Sequence, residues 1–215
     1  PEKEAAFNEQ VQQIFASLDG VVTMTAQHDE FLNRHGLGNR TQRIYNGIDL
    51  PEALNPTTAQ VIRCVMCARD EATKGWEAAI LGVIEANHLG ISVKLDLIGA
   101  GSYLEKLKSQ FQGNDAIHFL GSLPSPMEVM TKYDIGLLPS KFKAESLPNT
   151  VVEYQAAGLA TIATSIGEIP NLIHSRGIEA SFRPYRSEQG RTTSQPDADL
   201  PASLWARTGN ATERD

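Results

Sequence analysis

VIRCVMCARDEATKGWEAAILGVIEANHLGISVKLDLIGAGS, residues 61–102, sets two short apolar runs on either side of one longer one. VIRCVMCA and VKLDLIG are rich in apolar and β-branched residues and end in polar or glycine turns, which reads as buried strand. GWEAAILGVIEANHLG spaces its apolar residues as a helix does. Two strands separated by a helix cannot form a hairpin; they pair in parallel through a right-handed crossover.

The same alternation runs on downstream. A helix over about Tyr103–Phe111 puts Leu104 and Leu107 on one side. IHFLG, a helix over about Pro126–Tyr133, strand DIGLLPS, a helix within LPNTVVEYQAAG and strand ATIATS follow. The pattern predicts a Rossmann-like α/β domain over about 60–175, a mostly parallel sheet with helices on both faces. Upstream, Phe7, Val11, Ile14, Phe15 and Leu18 stand at helical spacing, DGVVTMT reads as a short strand, and a helix from Ala26 to His35 closes at Gly36. RIYNGIDLPEALNP adds a short strand, a turn at Gly47 and prolines. Residues 1–45 therefore read as an incomplete α/β unit and 46–59 as a linker. After His174 the chain turns to Arg, Ser, Thr, Gln and Pro without a period, so 176–215 is expected to be largely irregular, with LPASLWAR at most a short helix.

Composition narrows the function. The net charge is −7 and the pI about 5.3, which argues against a nucleic-acid surface and requires local cations to hold any anionic ligand. No stretch approaches the ~18 apolar residues of a membrane span. PEKEAAFNEQ lacks the order of a signal peptide, so a cytoplasmic protein is expected. Cys64 and Cys67 lie three apart in a strand and so face opposite sides; they read as reduced core thiols, and no second pair completes a metal site.

In an open parallel sheet, ligands bind beyond the carboxyl ends of the strands. Four loops there carry candidate chemistry. Arg69 and Lys74, five apart, suit convergence on a diphosphate, one as a planar fork and the other as a mobile point charge; they are equally readable as solvated cations beside Asp70 and Glu71. Gly99 and Gly101 in LIGAGSY permit close backbone approach to a ligand, yet the third glycine of a dinucleotide fingerprint is missing and NAD is set aside. In AESLPNTVVEYQAAG, Ser146 is the expected N-cap, so the helix should start near Leu147 or Pro148 and stop at Gly158. Free N–H groups of Asn149 and Thr150 would then make an anion site. Glu145 precedes that helix and Glu153 lies inside it, among Val151, Val152, Ala156 and Ala157 that should face the sheet; both carboxylates also have an innocent reading as ordinary helix and loop residues. SIGEIPNL is another strand-end glycine turn, entering a short helix at Pro170.

The order of these elements, from Arg69-x4-Lys74-Gly75 through LIGAG, IHFLG, DIGLLPS and Glu145-x7-Glu153 to AAGLATIATSIGEIP, resembles the donor-binding half of family 4 glycosyltransferases of the GT-B fold. IYNGIDL resembles their interdomain linker, and the likeness covers about residues 20–173. The resemblance implies that Arg69 and Lys74 hold the diphosphate of a nucleotide sugar, UDP being the commonest nucleotide, that Glu145 meets sugar hydroxyls, and that Glu153 bonds the ribose. Amides of Leu147, Pro148, Asn149 and Thr150 would line the sugar or phosphate, proline contributing only backbone shape. Gly99, Gly101, Gly121 and Ser122 match loops near the phosphates and base. The implied reaction is retaining transfer to an acceptor hydroxyl with no cofactor and usually no protein-bound metal, in polysaccharide or glycolipid assembly. The acceptor, a saccharide or a lipid-linked one, would bind an amino-terminal domain mostly absent here, so this chain alone should bind donor and turn it over poorly. Peripheral membrane association of the full-length protein fits that role. A non-catalytic nucleotide-sugar or scaffold module and a GT-B nucleotide-sugar 2-epimerase remain alternatives. The family usually has glycine before the arginine and an apolar residue after it, where this chain has Ala68 and Asp70.

Overall fold

The computed structural model describes residues 2–48, 50–51, 60–142, 145–174 and 181–182. Most of the 46–59 linker and nearly all of the 176–215 tail, including LPASLWAR, lie outside the described residues.

The amino-terminal part is α1 (Glu2–Ala16), β1 (Val21–Thr23), α2 (Ala26–Arg34) and β2 (Thr41–Arg43), with β1 and β2 paired in parallel. Thr25 caps α2, its hydroxyl accepting the His28 N–H at 3.1 Å, and Gly36 adopts φ +76° just beyond the last turn. That supplies the left-handed residue on which helices commonly end.

The second part is β3 (Ile62–Cys67), α3 (Trp76–His88), β4 (Val93–Ile98), α4 (Ser102–Gln110), β5 (Ile117–Gly121), α5 (Met127–Met130), β6 (Ile135–Leu138), α6 (Asn149–Ala156), β7 (Ala160–Thr164), α7 (Ile169–His174) and β8 (Ser181–Phe182). The six strands lie in the order β5-β4-β3-β6-β7-β8, all parallel. The Rossmann-like expectation is met. Ser181 and Phe182, expected in an irregular tail, instead pair with Ala163 and Thr164 at the open edge of β7, where backbone bonds form without any apolar run to signal them.

Alternation along the central strands divides the core between the two faces. Cys64 and Met66 join Leu95 and Leu97 under Trp76, Ile80 and Val83 of α3 and Leu104 and Leu107 of α4. Val65 and Ile98 point the other way, toward Met130, Tyr154 and Ala157, and Cys67 packs on that side. The two cysteines are free and split between faces, as their spacing predicts.

Helix α6 departs from expectation at both its start and its phase. It begins at Asn149, Pro148 is the flanking residue, and no side chain caps it. Ser146 is not the cap because its segment is already committed elsewhere: its carbonyl accepts the Glu168 N–H at 3.0 Å. The sheet-facing residues are Val151, Tyr154 and Ala157, whereas Val152 and Ala156 are only half-buried. Tyr154 fits because Gly136 of β6 lies beneath its ring, where a Cβ would collide with it. Its hydroxyl accepts the Cys67 N–H at 2.8 Å and donates to the Leu137 carbonyl at 3.2 Å, joining β3 to β6.

Candidate functional site

From β3 the chain builds outward through β4 and β5, then returns to the other side of β3 and builds through β6 and β7. The loops after β3 and β6 thus leave the sheet in opposite directions at its carboxyl end, the place where an α/β sheet opens a ligand crevice. Here the floor is tightly stitched. Gly75, at φ +88°, rests against the Pro139 carbonyl where any Cβ would overlap, so only glycine satisfies both the turn and the approach. The Thr73 carbonyl accepts the Lys141 N–H at 2.6 Å and lies 3.3 Å from Ser140 Oγ.

That stitching brings Lys74 and Glu145 together. Lys74 Nζ lies 3.1 Å and 2.8 Å from the two carboxylate oxygens of Glu145, and the side chains are only 8% and 9% exposed. Ser140, fully buried, donates from Oγ to Glu145 Oε2 at 3.0 Å while accepting the Phe142 N–H at 3.2 Å. The Phe142 ring centroid stands 5.3 Å from the ammonium. The result is a dry, compensated ion pair at the switch point, the arrangement in which charge acts most strongly.

Arg69 is not brought against Lys74. Its side chain is 72% exposed and, among the described residues, pairs with Glu71 at 3.2 Å. Its backbone, by contrast, is fixed: the Arg69 carbonyl accepts the indole N–H of the buried Trp76 at 3.1 Å. The Asp70 carboxylate accepts the N–H groups of Tyr103 at 3.1 Å and Leu104 at 2.8 Å, capping α4 from another loop. Gly101 allows this, since a Cβ there would occupy the place of the Asp70 carboxylate. The helix-terminal amides beside Gly99 and Gly101 are therefore taken by Asp70, the residue that departs from the family pattern.

The start of α6 is arranged differently. Leu147 and Pro148 are buried, Asn149 is exposed and Thr150 half-buried. Among the described residues, the N–H groups of Asn149 and Thr150 have no partner. The Asn149 side chain accepts from Asn46 Nδ2 at 2.7 Å. Glu153 is half-buried, and burial pushes its carboxyl up from the ordinary value. Its charge also adds to the rise of the Cys67 thiol, which places it near the end of β3. Gly121, at φ +74°, closes β5 and its carbonyl accepts the Gly99 N–H at 2.9 Å, with Ser122 next in the loop. No cluster of three or more metal-ligating side chains occurs among the described residues, and none of the described helices is long and apolar enough to cross a membrane.

Sequence reasoning singled out Lys74 and Glu145 but not their pairing, and it missed Ser140, Asp70 as a cap, and Tyr154. Pro139-Ser140 at the end of an apolar strand was a usable signal for the first, and an aspartate beside a Gly-x-Gly loop for the second.

Residues 63–188 match the family model described as Glycosyl transferases group 1. No curated protein matches the chain. Among solved structures, the Anabaena protein HepE in complex with UDP and glucose is similar at TM-score 0.56 and 18% identity, covering 75% of this chain and 47% of that one. The S. aureus protein TarM, solved with fondaparinux, alpha-GlcNAc-glycerol and UDP, gives TM-score 0.60 at 13% identity over 76% and 34%. The pneumococcal O-GlcNAc transferase GtfA, with UDP and GlcNAc, gives 0.57 at 18% over 80% and 35%. At these identities the likeness is one of fold, and the chain spans about half or less of each of these proteins.

Proposed function

Since the chain belongs to the group 1 glycosyl transferases, we propose that its β3–β6 crevice binds a nucleoside diphosphate sugar, with UDP as the nucleotide, for transfer of the sugar to an acceptor hydroxyl. The observation that carries this reading is the buried Lys74–Glu145 pair beside the unpartnered amides of α6. It sets a fixed cation, a hydroxyl-seeking carboxylate and two N–H donors at one end of one sheet.

In this reading Lys74 and Arg69 neutralise the diphosphate. As the bond from the sugar's anomeric carbon to the phosphate oxygen breaks, the electron pair leaves with the diphosphate, and a preorganised ammonium stabilises that growing charge without reorganising. The acceptor oxygen forms the new bond and gives up its proton to the medium or to the departing phosphate. Glu145, held by Lys74 and Ser140, orients sugar hydroxyls. Glu153, whose raised carboxyl affinity for protons follows from burial, meets the ribose. Transfer proceeds with retention of configuration, without a resident metal, in polysaccharide or glycolipid assembly, with a saccharide or lipid-linked acceptor held by amino-terminal parts beyond residues 1–45 and the full-length protein at the membrane periphery. This chain by itself binds donor and turns it over slowly.

Titration calorimetry with UDP-, GDP- and ADP-glucose tests the reading. Wild type binds one of them, and Lys74→Ala, Arg69→Ala and Glu153→Ala each weaken binding by about tenfold or more, the worth of a hydrogen bond to a charged group. Absence of binding to all three at about 1 mM, an affinity of only about −4 kcal/mol, overturns it.

A further inference from the structure

Glu168 is a buried carboxylate that the proposed chemistry does not use, only 2% exposed and set between the two parts of the chain. Its Oε2 accepts the N–H of Ala26, the first residue of α2, at 3.0 Å. Its Oε1 accepts the Tyr45 hydroxyl and Asn171 Nδ2, both at 3.0 Å, and lies 3.8 Å from Arg43 Nη1. Three of these four partners belong to residues 26–45. On the other side, the Glu168 N–H donates to the Ser146 carbonyl at 3.0 Å, and Gly167 packs so closely on the Glu145 carbonyl that a Cβ would overlap it. One residue thus grips the amino-terminal unit with its side chain and the loop before α6 with its backbone. A second tie, Asn46 Nδ2 to Asn149 Oδ1 at 2.7 Å, joins the same two segments.

We propose that Glu168 is a positioning residue that couples the placement of the 21–46 unit to the geometry of the 145–150 donor loop. A buried carboxylate held by three hydrogen-bond donors and a neighbouring cation depends on them for its compensation, and removal of a donor leaves part of its charge unpaired. Shifting the amino-terminal unit therefore pulls on Glu168, and through Ser146 on Glu145 and on the start of α6. The coupling bears on donor binding only under the function proposed above, but the mechanical link is independent of it.

Hydrogen exchange on the free chain reads the link, and UDP-glucose titration reads its consequence. Glu168→Gln keeps the shape but turns an N–H2 toward one set of donors. It should raise exchange at Ala26 and at the bonded amides of positions 145, 151 and 168 together by about tenfold, the loss of one such bond. Amides of Val65 and Leu97 should stay at wild-type rates, and UDP-glucose affinity should fall by about threefold to tenfold. Exchange that rises around Ala26 alone, with positions 145, 151 and 168 and donor affinity at wild-type values, overturns the proposal. Should Glu168→Gln unfold the chain, Tyr45→Phe and Asn46→Ala make the same test, with a rise at the amides of Glu145, Val151 and Glu168 supporting the link and wild-type rates there refuting it. Wild type that binds no donor overturns the function proposed above, while the exchange pattern still decides the coupling.

Discussion

Truncating Lys74 to alanine removes the cation that, among the described residues, contacts a carboxylate only 9% exposed. Breaking a buried pair from one side costs about 3–5 kcal/mol, because the remaining charge stays dry and unpaired. Ser140 still donates to Glu145 Oε2 at 3.0 Å, which puts the expectation at the lower end, about 3 kcal/mol. For a chain of this size each kcal/mol moves the melting temperature by about 2–4 °C, so Lys74→Ala should melt about 6–12 °C below wild type. Replacing both partners by apolar residues, as in Lys74→Met with Glu145→Leu, removes the stranded charge along with the pair, and stability should return to within about 1 kcal/mol of wild type. Urea titration followed by circular dichroism measures all three free energies. Arg69→Ala is the internal control: its side chain is 72% exposed and its ion pair lies at the surface, so stability should change by less than about 0.5 kcal/mol. A Lys74→Ala protein as stable as the Arg69→Ala protein would refute the claim that the switch-point pair is desolvated, and with it the electrostatic argument for the site.

Three further outcomes follow from buried groups. Tyr154→Phe deletes a hydroxyl that bonds both Cys67 N–H and the Leu137 carbonyl, leaving a buried amide unsatisfied; urea titration should show a loss of about 1–3 kcal/mol, and no loss would contradict the bridge between β3 and β6. Burial pushes the Cys64 thiol up to about 12 and the Cys67 thiol up to about 11, so neither should react with iodoacetamide at pH 8 until the chain is unfolded. Burial alone would push the Glu168 carboxyl up, but the bonds from Asn171, Ala26 and Tyr45 and the Arg43 charge outweigh it and hold it below its ordinary value of 4.5. A depressed folded value means the carboxylate stabilises the fold fully above about 4.5 and loses that contribution as pH falls through the folded value. Asp29, lowered chiefly by the Thr23 hydroxyl and by Arg43, acts in the same direction. Melting temperatures of wild type and Glu168→Gln should therefore converge as pH drops below about 4.5, and a constant gap would contradict the assignment.

The strands and helices of residues 60–174 were legible because each is announced by its own apolar period, and the parallel order followed from connections too long for hairpins. What the sequence could not show lies in partners far apart along the chain. Lys74 and Glu145 are 71 residues apart, Asp70 caps a helix 33 residues on, and Glu168 reaches Ala26 across 142. Ser146 has the local chemistry of an N-cap, yet its carbonyl is bonded to the Glu168 N–H, Pro148 is extended, and α6 starts three residues after Ser146. The phase of α6 was misread for a similar reason: Val152 and Ala156 are as apolar as Val151 and Ala157, and only Gly136 in a different strand makes room for Tyr154.

Two helix starts lie at the carboxyl end of the same sheet, and the chain treats them oppositely. At α4 the Asp70 carboxylate takes the amides of Tyr103 and Leu104, so a phosphate placed there would displace a bound anion of like sign. Among the described residues no side chain caps α6 and the Asn149 and Thr150 N–H groups have no partner, so an incoming anion would meet open donors and the positive end of the helix. Lys74 is buried and shares its charge with Glu145, and cannot neutralise a diphosphate completely while that pair holds. Under the proposed function the balancing charge comes from Arg69, whose backbone is pinned by Trp76 and by the neighbouring Asp70 but whose exposed guanidinium can swing from Glu71 at little cost. Asp70 occupies the amides at the start of α4, and in the proposed function it also anchors the loop from which Arg69 would reach the diphosphate.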